Sequence, residues 1–184
     1  MKNLKTMDNK TKLILALVLI AIGVSGRLLP HLWNFTPVIA IALFAGVYMG
    51  KRYAIGLPLA VMLISDIFIG FDYLAITISI YGSIALAGLL AYGLRQYKSF
   101  QVVAGMTIAS SIIFFLITNA AVWAFSPLYA PNLSGLIQSY VMGIPFFRNS
   151  LLSNLFYTGI FFGVYELAIL KSRSKTSLAA RNIN

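Results

Sequence analysis

The chain has 184 residues, of which 60% are hydrophobic and 10% are charged, and its 14 basic and four acidic residues give a formal net charge of +10. Soluble domains carry about 25% charged residues, so this composition excludes an ordinary water-soluble fold and predicts one membrane-embedded domain. The absence of cysteine excludes disulfides, thiolate metal sites and cysteine nucleophiles. The basic residues form short clusters between apolar runs, which indicates membrane topology and not nucleic-acid binding.

Six apolar runs approach the ~20 residues that are needed to cross a ~30 Å hydrocarbon layer. They are residues 13–29, 37–49, 53–71, 74–94, 102–125 and 150–170. The second run is short for a crossing, and the first is expected to be retained because no signal-peptide cleavage site follows it. The predicted fold is an all-α integral membrane protein with six transmembrane helices in residues 13–170, between cytoplasmic tails at 1–12 and 171–184.

The segment 126–149, between the last two runs, is apolar but repeatedly interrupted. Its helix-breaking residues are Pro127, Pro131, Gly135, Gly143 and Pro145. We expect an interfacial or partly re-entrant segment with a helix at 133–142, because irregular backbone is tolerated at membrane depth only when protein covers it.

Lysine and arginine fall almost entirely on one side of the predicted bundle. With six spans, twelve of the 14 basic residues lie on one side, and only Arg27 and Arg148 lie on the other. Basic loops are retained in the cytoplasm, so both termini are expected there and the two exceptions are expected at the outer face.

Several polar residues share the predicted depth of these two arginines. Asp66 comes 13 residues after Tyr53, or about 20 Å along a helix that rises 1.5 Å per residue, which places its carboxylate in the outer third of the membrane. An ionisable residue inside a span is a functional hypothesis by default. Asp66 either forms a structural ion pair with Arg27 or Arg148 or contacts a ligand, and both alternatives stay open. The candidate substrate-binding residues are Arg27, His31, Asn34, Asp66, Asn119, Trp123, Arg148, Asn149 and Asn154.

At several polar positions a different role competes with ligand binding. His31 is either a solvated imidazole or a metal ligand, and one histidine without cysteine predicts neither a metal site nor a cofactor. Trp123 is either an interfacial anchor or a stacking platform. Glu166, near the inner end of the last run, is expected to extend to water beside Lys171. No arrangement typical of a catalytic site is present, so the chain is not expected to be an enzyme.

Small residues recur every four positions in the second and fourth runs. Such ridges allow close helix packing, either inside the bundle or against another membrane protein. The residues are Ala42, Gly46 and Gly50 in the second run, and Ser79, Ser83, Ala87 and Ala91 in the fourth.

Four segments resemble, in matching order, a family of uncharacterised small bacterial integral membrane proteins. They are RLLPHLWNFTPVIAIALFAG at 27–46, PLAVMLISDIFIGF at 58–71, FLITNAAVW at 115–123 and IPFFRNSLLSNLFYT at 144–158. That family is similar to the substrate-binding S components of energy-coupling-factor vitamin transporters. The resemblance implies a six-helix bundle in the bacterial inner membrane, a pocket that opens outward, and a membrane energising module as a partner.

One feature of S components differs in this chain. They often carry an Ala-x-x-x-Ala motif in the first helix for docking on the coupling subunit, whereas here Ile20 follows Ala16 and Ser25 follows Ala21 at the fourth position. The sequence predicts an uptake component in the lipid bilayer that binds a small vitamin-like nutrient near the outer face. The alternatives are a structural or accessory membrane protein whose polar layer is a packing network, and a membrane enzyme that acts on lipid headgroups.

Overall fold

The computed structural model describes residues 7–30 and 34–181, with residues 172–181 described as backbone only. Within these residues the fold is entirely helical and contains no strand, which confirms the all-α part of the predicted fold class. The helices are α1 (Asn9–Leu28), α2 (Val38–Tyr48), α3 (Lys51–Ile69), α4 (Leu74–Leu94), α5 (Phe100–Phe125) and α6 (Leu133–Arg181), with a short 3-10 turn at Arg95–Tyr97.

Five of the described helices, α1 and α3 to α6, are long and apolar enough to cross a membrane. Their large apolar side chains also face outward: Phe68 is 72% exposed, Leu74 76% and Phe100 86%. In water such an apolar surface would cause aggregation, whereas in a membrane it is solvated by lipid. The remaining helix, α2, has 11 residues, about 16 Å at 1.5 Å per residue, which is short of a full crossing. The predicted count of six spans therefore stays a prediction.

Local sequence explains where several helices begin and end. Asp8 caps α1 by accepting hydrogen bonds from the backbone nitrogen and the hydroxyl of Thr11, at 3.1 and 2.5 Å. These bonds lower the pKa of the exposed Asp8 carboxyl because they favour its charged form. Gly50 and Gly70 have φ values of 105° and 102°, in a region that favours glycine, and they separate α3 from α2 and α4.

Helix α2 is the centre of the bundle, and every residue from Val38 to Val47 is buried. Its Gly46 lies so close to α4 that a Cβ atom there would meet the carbonyl oxygen of Gly88 at 2.6 Å and the Cβ of Ala91 at 2.8 Å. Gly88 in turn lies directly against the backbone carbonyl of Ala54 in α3. The small-residue ridges of α2 and α4 thus pack against each other inside the bundle.

Helix α6 begins at Leu133 and continues past Pro145, so the expected helix start near residue 150 is not a helix boundary. Tyr140 and Phe147 both contact Phe115 of α5, with ring centroids 5.6 and 4.8 Å away, although they are separated by about 10 Å of helix rise. The first part of α6 therefore packs against α5 around Phe115. The helix continues through Pro145, which lacks a backbone N–H and so removes one helical hydrogen bond.

The rest of α6 runs antiparallel to α5. Asn154 donates to Ser111 at 2.9 Å, and further along α6 Glu166 pairs with Lys98, near the start of α5, at 2.5 Å. This pairing gives the bundle two distinct ends. We call the end that carries Lys51, Arg52, Arg95 and Lys98 the basic end, and the opposite end the Arg27 end.

Candidate functional site

A buried ion pair joins α1, α3 and α4 at the Arg27 end. Arg27 Nη2 lies 2.5 Å from Asp66 Oδ1, and the two side chains are only 14% and 9% exposed. The hydroxyl of Tyr81 donates to Asp66 Oδ2 at 2.7 Å. Arg27 Nη1 also donates to the sulfur of Met62, one helical turn before Asp66. Of the two arginines that the sequence offered as partners for Asp66, Arg27 forms the pair.

A cavity of about 370 Å³ lies beside this pair. Its walls combine apolar side chains from α2, α3, α4 and α5 with a few polar groups, as small-molecule pockets usually do, and its volume falls in their usual range of about 300–1,000 Å³. The polar lining residues are Arg27, Asn34, Thr36, Asp72, Ser150 and Asn154.

The polar wall on α6 is fixed by hydrogen bonds to neighbouring elements. Asn154 is 2% exposed, and its side-chain nitrogen donates to the hydroxyl of Ser111 at 2.9 Å. Ser153 donates to the backbone carbonyl of Thr36 at 2.8 Å, which ties the connection between α1 and α2 to α6. Asn34, in that connection, has a φ of 59°, a conformation that asparagine tolerates better than most residues. These hydrogen bonds hold the polar wall on α6 in place without a ligand.

A smaller cavity of about 90 Å³ adjoins the first and reaches the ion pair from the other side. Asp66, Thr77 and Tyr81 line only this smaller cavity, whereas Arg27 and Asp72 line both. The Arg27–Asp66 pair thus lies at the boundary between the two spaces.

The charge of the lining is set by Asp72. Arg27 and Asp66 neutralise each other, since they form a direct ion pair. Asp72 is exposed, and among the described residues its carboxylate forms no ion pair within 4.0 Å. Its backbone carbonyl accepts a hydrogen bond from Thr77 at 3.2 Å. The described lining consequently has one uncompensated negative charge.

Four other candidate residues from the sequence, Asn119, Trp123, Arg148 and Asn149, do not line this cavity. Asn119 donates to the carbonyl of Phe115 at 2.8 Å and packs against Gly143, and Trp123 donates to the carbonyl of Ala130 at 3.0 Å. Arg148 is exposed and Asn149 is half-buried. His31 lies outside the described residues. A role of all five residues in ligand binding stays a prediction, and for the four described residues the geometry adds no support.

Sequence reasoning missed Thr36, Ser150 and Tyr81. Thr36 and Ser150 carry no signal in a single sequence, because small hydroxyl residues are common in membrane helices. Tyr81 does carry one, since it is a polar aromatic residue inside an apolar run and not at its ends, where tyrosine is enriched.

A second polar cluster, at the basic end, corrects the expectation for Glu166. This carboxylate accepts hydrogen bonds from Lys98 Nζ, at 2.5 Å, and from the hydroxyl of Tyr48. The ammonium group of Lys98 also lies 4.5 Å from the centre of the Tyr48 ring. Glu166 therefore pairs with Tyr48 of α2 and with Lys98, in the connection between α4 and α5, instead of simply extending to water beside Lys171.

Long apolar helices, an apolar exterior and buried polar groups at one end define the class as a multi-pass helical membrane protein. Residues 7–178 match the family of unknown function DUF6580, and the chain belongs to that family. Comparisons with curated proteins and with solved structures found no match. Among the described residues, no group of three or more His, Asp or Glu side chains could hold a metal ion.

Proposed function

We propose that the protein is the substrate-binding component of a membrane uptake system, which captures a small vitamin-like nutrient in the cavity at the Arg27 end. The observation that carries this proposal is the cavity of about 370 Å³ with its preformed polar wall. The resemblance of the sequence to S components of vitamin transporters supports the same function.

The distribution of basic residues supports capture from outside the cell. Lys51, Arg52, Arg95 and Lys98 mark the opposite end of the bundle from the cavity, and basic loops are typical of the cytoplasmic side. In this orientation both termini lie in the cytoplasm and the cavity faces outward. The membrane would be the bacterial inner membrane, as the resemblance implies, and an energising module is the partner that release of the nutrient would require.

The charges of the cavity favour a ligand that carries an ammonium group or other strong hydrogen-bond donors. An anionic ligand would have to displace Asp66 from Arg27, and these two side chains form an ion pair at 2.5 Å. A cation instead meets the uncompensated carboxylate of Asp72 and the ring of Phe114 in the same lining. An unpaired arginine would instead favour an anionic ligand, so the pairing of Arg27 with Asp66 changes the kind of ligand that we expect.

The proposal is tested with purified protein in lipid nanodiscs. Mass spectrometry of protein purified from rich medium should detect a co-purifying small molecule, and a panel of vitamins, amines and carboxylates should contain compounds that raise the melting temperature. Absence of both signals would contradict the proposed function.

Substitution of Asp72 tests the assignment of the cavity. Asp72→Asn should weaken binding of a cationic ligand about tenfold, which corresponds to the loss of ~1.4 kcal/mol from one charge-assisted contact. Arg148→Gln is the matched control, because Arg148 is exposed and does not line the cavity. Equal affinities of the wild type and the Asp72 variant in calorimetric titrations would place the ligand elsewhere.

A structural or accessory role is the second candidate, and the hydrogen-bonded network of Arg27, Asp66 and Tyr81 favours it because it joins three helices. Ser150→Leu separates the two candidates, since it narrows the cavity without contacting that network. Under the uptake proposal this variant folds but loses ligand binding and nutrient uptake. Under the structural alternative, uptake of every nutrient tested is the same in cells with the variant, the wild type or no protein.

A further inference from the structure

A second and larger cavity, of about 740 Å³, lies at the basic end between α5 and α6. Its walls are mostly apolar and include Val103 and Ala104 of α5 and Leu155, Gly159 and Gly163 of α6. It has no residue in common with the cavity at the Arg27 end. The proposed nutrient site therefore does not account for it.

Two glycines of α6 leave this space open. A Cβ atom at Gly159 or Gly163 would meet nothing within 4 Å, whereas at Gly46 or Gly88 it would collide with a neighbouring helix. Neither glycine has a positive φ. Each glycine makes the helix about 1 kcal/mol less stable than alanine would. No packing contact inside the described chain requires glycine at either position. The open space over α6 thus fits an occupant from outside the chain.

The cavity has a polar and charged end. Lys98 and Glu166 line it together with Tyr48 and Ser99, and the side chains of Lys98 and Glu166 are 28% and 44% exposed. The combination of apolar walls and one charged end matches an amphiphile, which has an apolar chain and a polar head.

The shape of the cavity favours a flexible chain over a second helix. The spacing of Gly159 and Gly163 is that of close helix pairs, but the cavity also extends past these glycines to the half-buried Tyr48 of the central helix. A helix docked on the glycines would cover the opening and leave the interior empty. An acyl chain can enter and fill it.

We propose that this cavity binds a membrane phospholipid, with one acyl chain over Gly159 and Gly163 and the phosphate at Lys98. Basic pockets between membrane helices at the cytoplasmic side are known to bind lipid headgroups. Lys98 is more exposed than Arg27, and its ammonium has three N–H donors, of which Glu166 and Tyr48 accept two. A phosphate oxygen can therefore accept the third without displacing Glu166. The site belongs to the protein whether or not the other cavity binds a nutrient.

Native mass spectrometry after purification in a mild detergent tests the proposal. The wild type should retain a phospholipid, and the double variant Gly159→Leu/Gly163→Leu should lose it, because the new side chains fill the cavity. Gly56→Leu is the matched control, since Gly56 is an exposed helical glycine whose Cβ also meets open space. Retention of the same lipid by the double variant, or no lipid on the wild type, would overturn the proposal.

Lipid titration into delipidated protein tests the headgroup contact. Phospholipid should raise the melting temperature of the wild type, and Lys98→Gln should bind it about tenfold more weakly, whereas Arg95→Gln should not, because Arg95 lies over Tyr92 outside the cavity. Phosphatidylethanolamine and phosphatidylglycerol serve as separate arms that compare a headgroup with and without an ammonium. If the glycine variant instead changes only the oligomeric state in sedimentation experiments, the cavity is an interface between copies and the lipid proposal fails.

Discussion

The ion pair between Arg27 and Asp66 is the feature that most constrains the chemistry of individual residues. Both side chains are nearly buried, and Tyr81 occupies the second carboxylate oxygen. Charges that lose their hydration are tolerated only when they are paired, so each partner depends on the other. The pair is therefore expected to matter for folding even if a ligand also contacts it.

Removal of one partner should destabilise the bundle strongly. Asp66→Ala leaves the guanidinium of Arg27 buried without a counter-ion and should lower the free energy of unfolding by about 3 kcal/mol. The double variant Arg27→Gln/Asp66→Asn, which contains no charge at this position, should recover part of that loss. Reversible unfolding in mixed detergent micelles measures both values. A loss below about 0.5 kcal/mol in the single variant, the size expected for a surface change such as Asp72→Asn, would contradict this role.

Asp66 lies in the last turn of α3, as its place in the run 53–71 predicted, and its depth in the membrane stays a prediction. The sequence left Arg27 and Arg148 open as partners and gave no indication of Tyr81. Arg27 and Tyr81 lie 39 and 15 residues away along the chain, and lateral packing decides which side chains meet. Lys98 and Glu166 show the same limit, since they are 68 residues apart. In the sequence Lys98 only indicated which side of the membrane its loop lies on. Nothing in the pattern indicated that it pairs with Glu166.

The helices whose ends are marked by charged residues or glycine were predicted best. The fourth run was expected at 74–94, and α4 is Leu74–Leu94, because the charged residues after it and the glycine before α4 end the apolar pattern. Pro145 was expected to interrupt its segment, but α6 continues through it. A single proline removes one hydrogen bond, and contacts of Tyr140 and Phe147 with α5 hold the helix on both sides.

The contact of α4 with α3 yields a prediction about glycine. Gly88→Ala places a methyl group against the backbone carbonyl of Ala54, and overpacking of this kind should cost about 1–3 kcal/mol. Gly82→Ala, six residues earlier in the same helix, meets open space and should be neutral or stabilising by up to about 1 kcal/mol. Thermal unfolding followed by circular dichroism compares the two. Equal melting temperatures of the two variants would show that α3 and α4 can move apart without a loss of stability.

For the whole molecule, composition was the most reliable guide. The apolar excess predicted an all-helical membrane-type fold, because only internal hydrogen bonding of the backbone satisfies its polar groups in lipid. The prediction was less successful for the short central helix α2, which was expected to be a span. All ten residues from Val38 to Val47 are buried by protein, and a hydropathy pattern does not distinguish such a segment from one that faces lipid.

Orientation in the membrane is directly testable because the chain contains no cysteine. Single cysteines are introduced by Leu128→Cys at the Arg27 end and by Gln96→Cys at the basic end, both at exposed positions between helices. With both termini in the cytoplasm, a membrane-impermeant maleimide should label residue 128 but not residue 96 in spheroplasts. Permeabilised membranes, where both should react, are the control. The reverse pattern would invert the bundle and move the proposed nutrient cavity to the inside.

The burial of α2 has a consequence for biosynthesis. Phe44 packs against Phe161, Phe162 and Tyr165 of α6, so part of the protein that covers α2 is synthesised about 120 residues after α2 itself. At a synthesis rate of about 10 residues per second, roughly 10 s separate their appearance. During that interval α2, which is too short for a full crossing of the membrane on its own, must be covered by α3, α4 or the insertion machinery. The chain should therefore acquire its native core only after α6 has been synthesised.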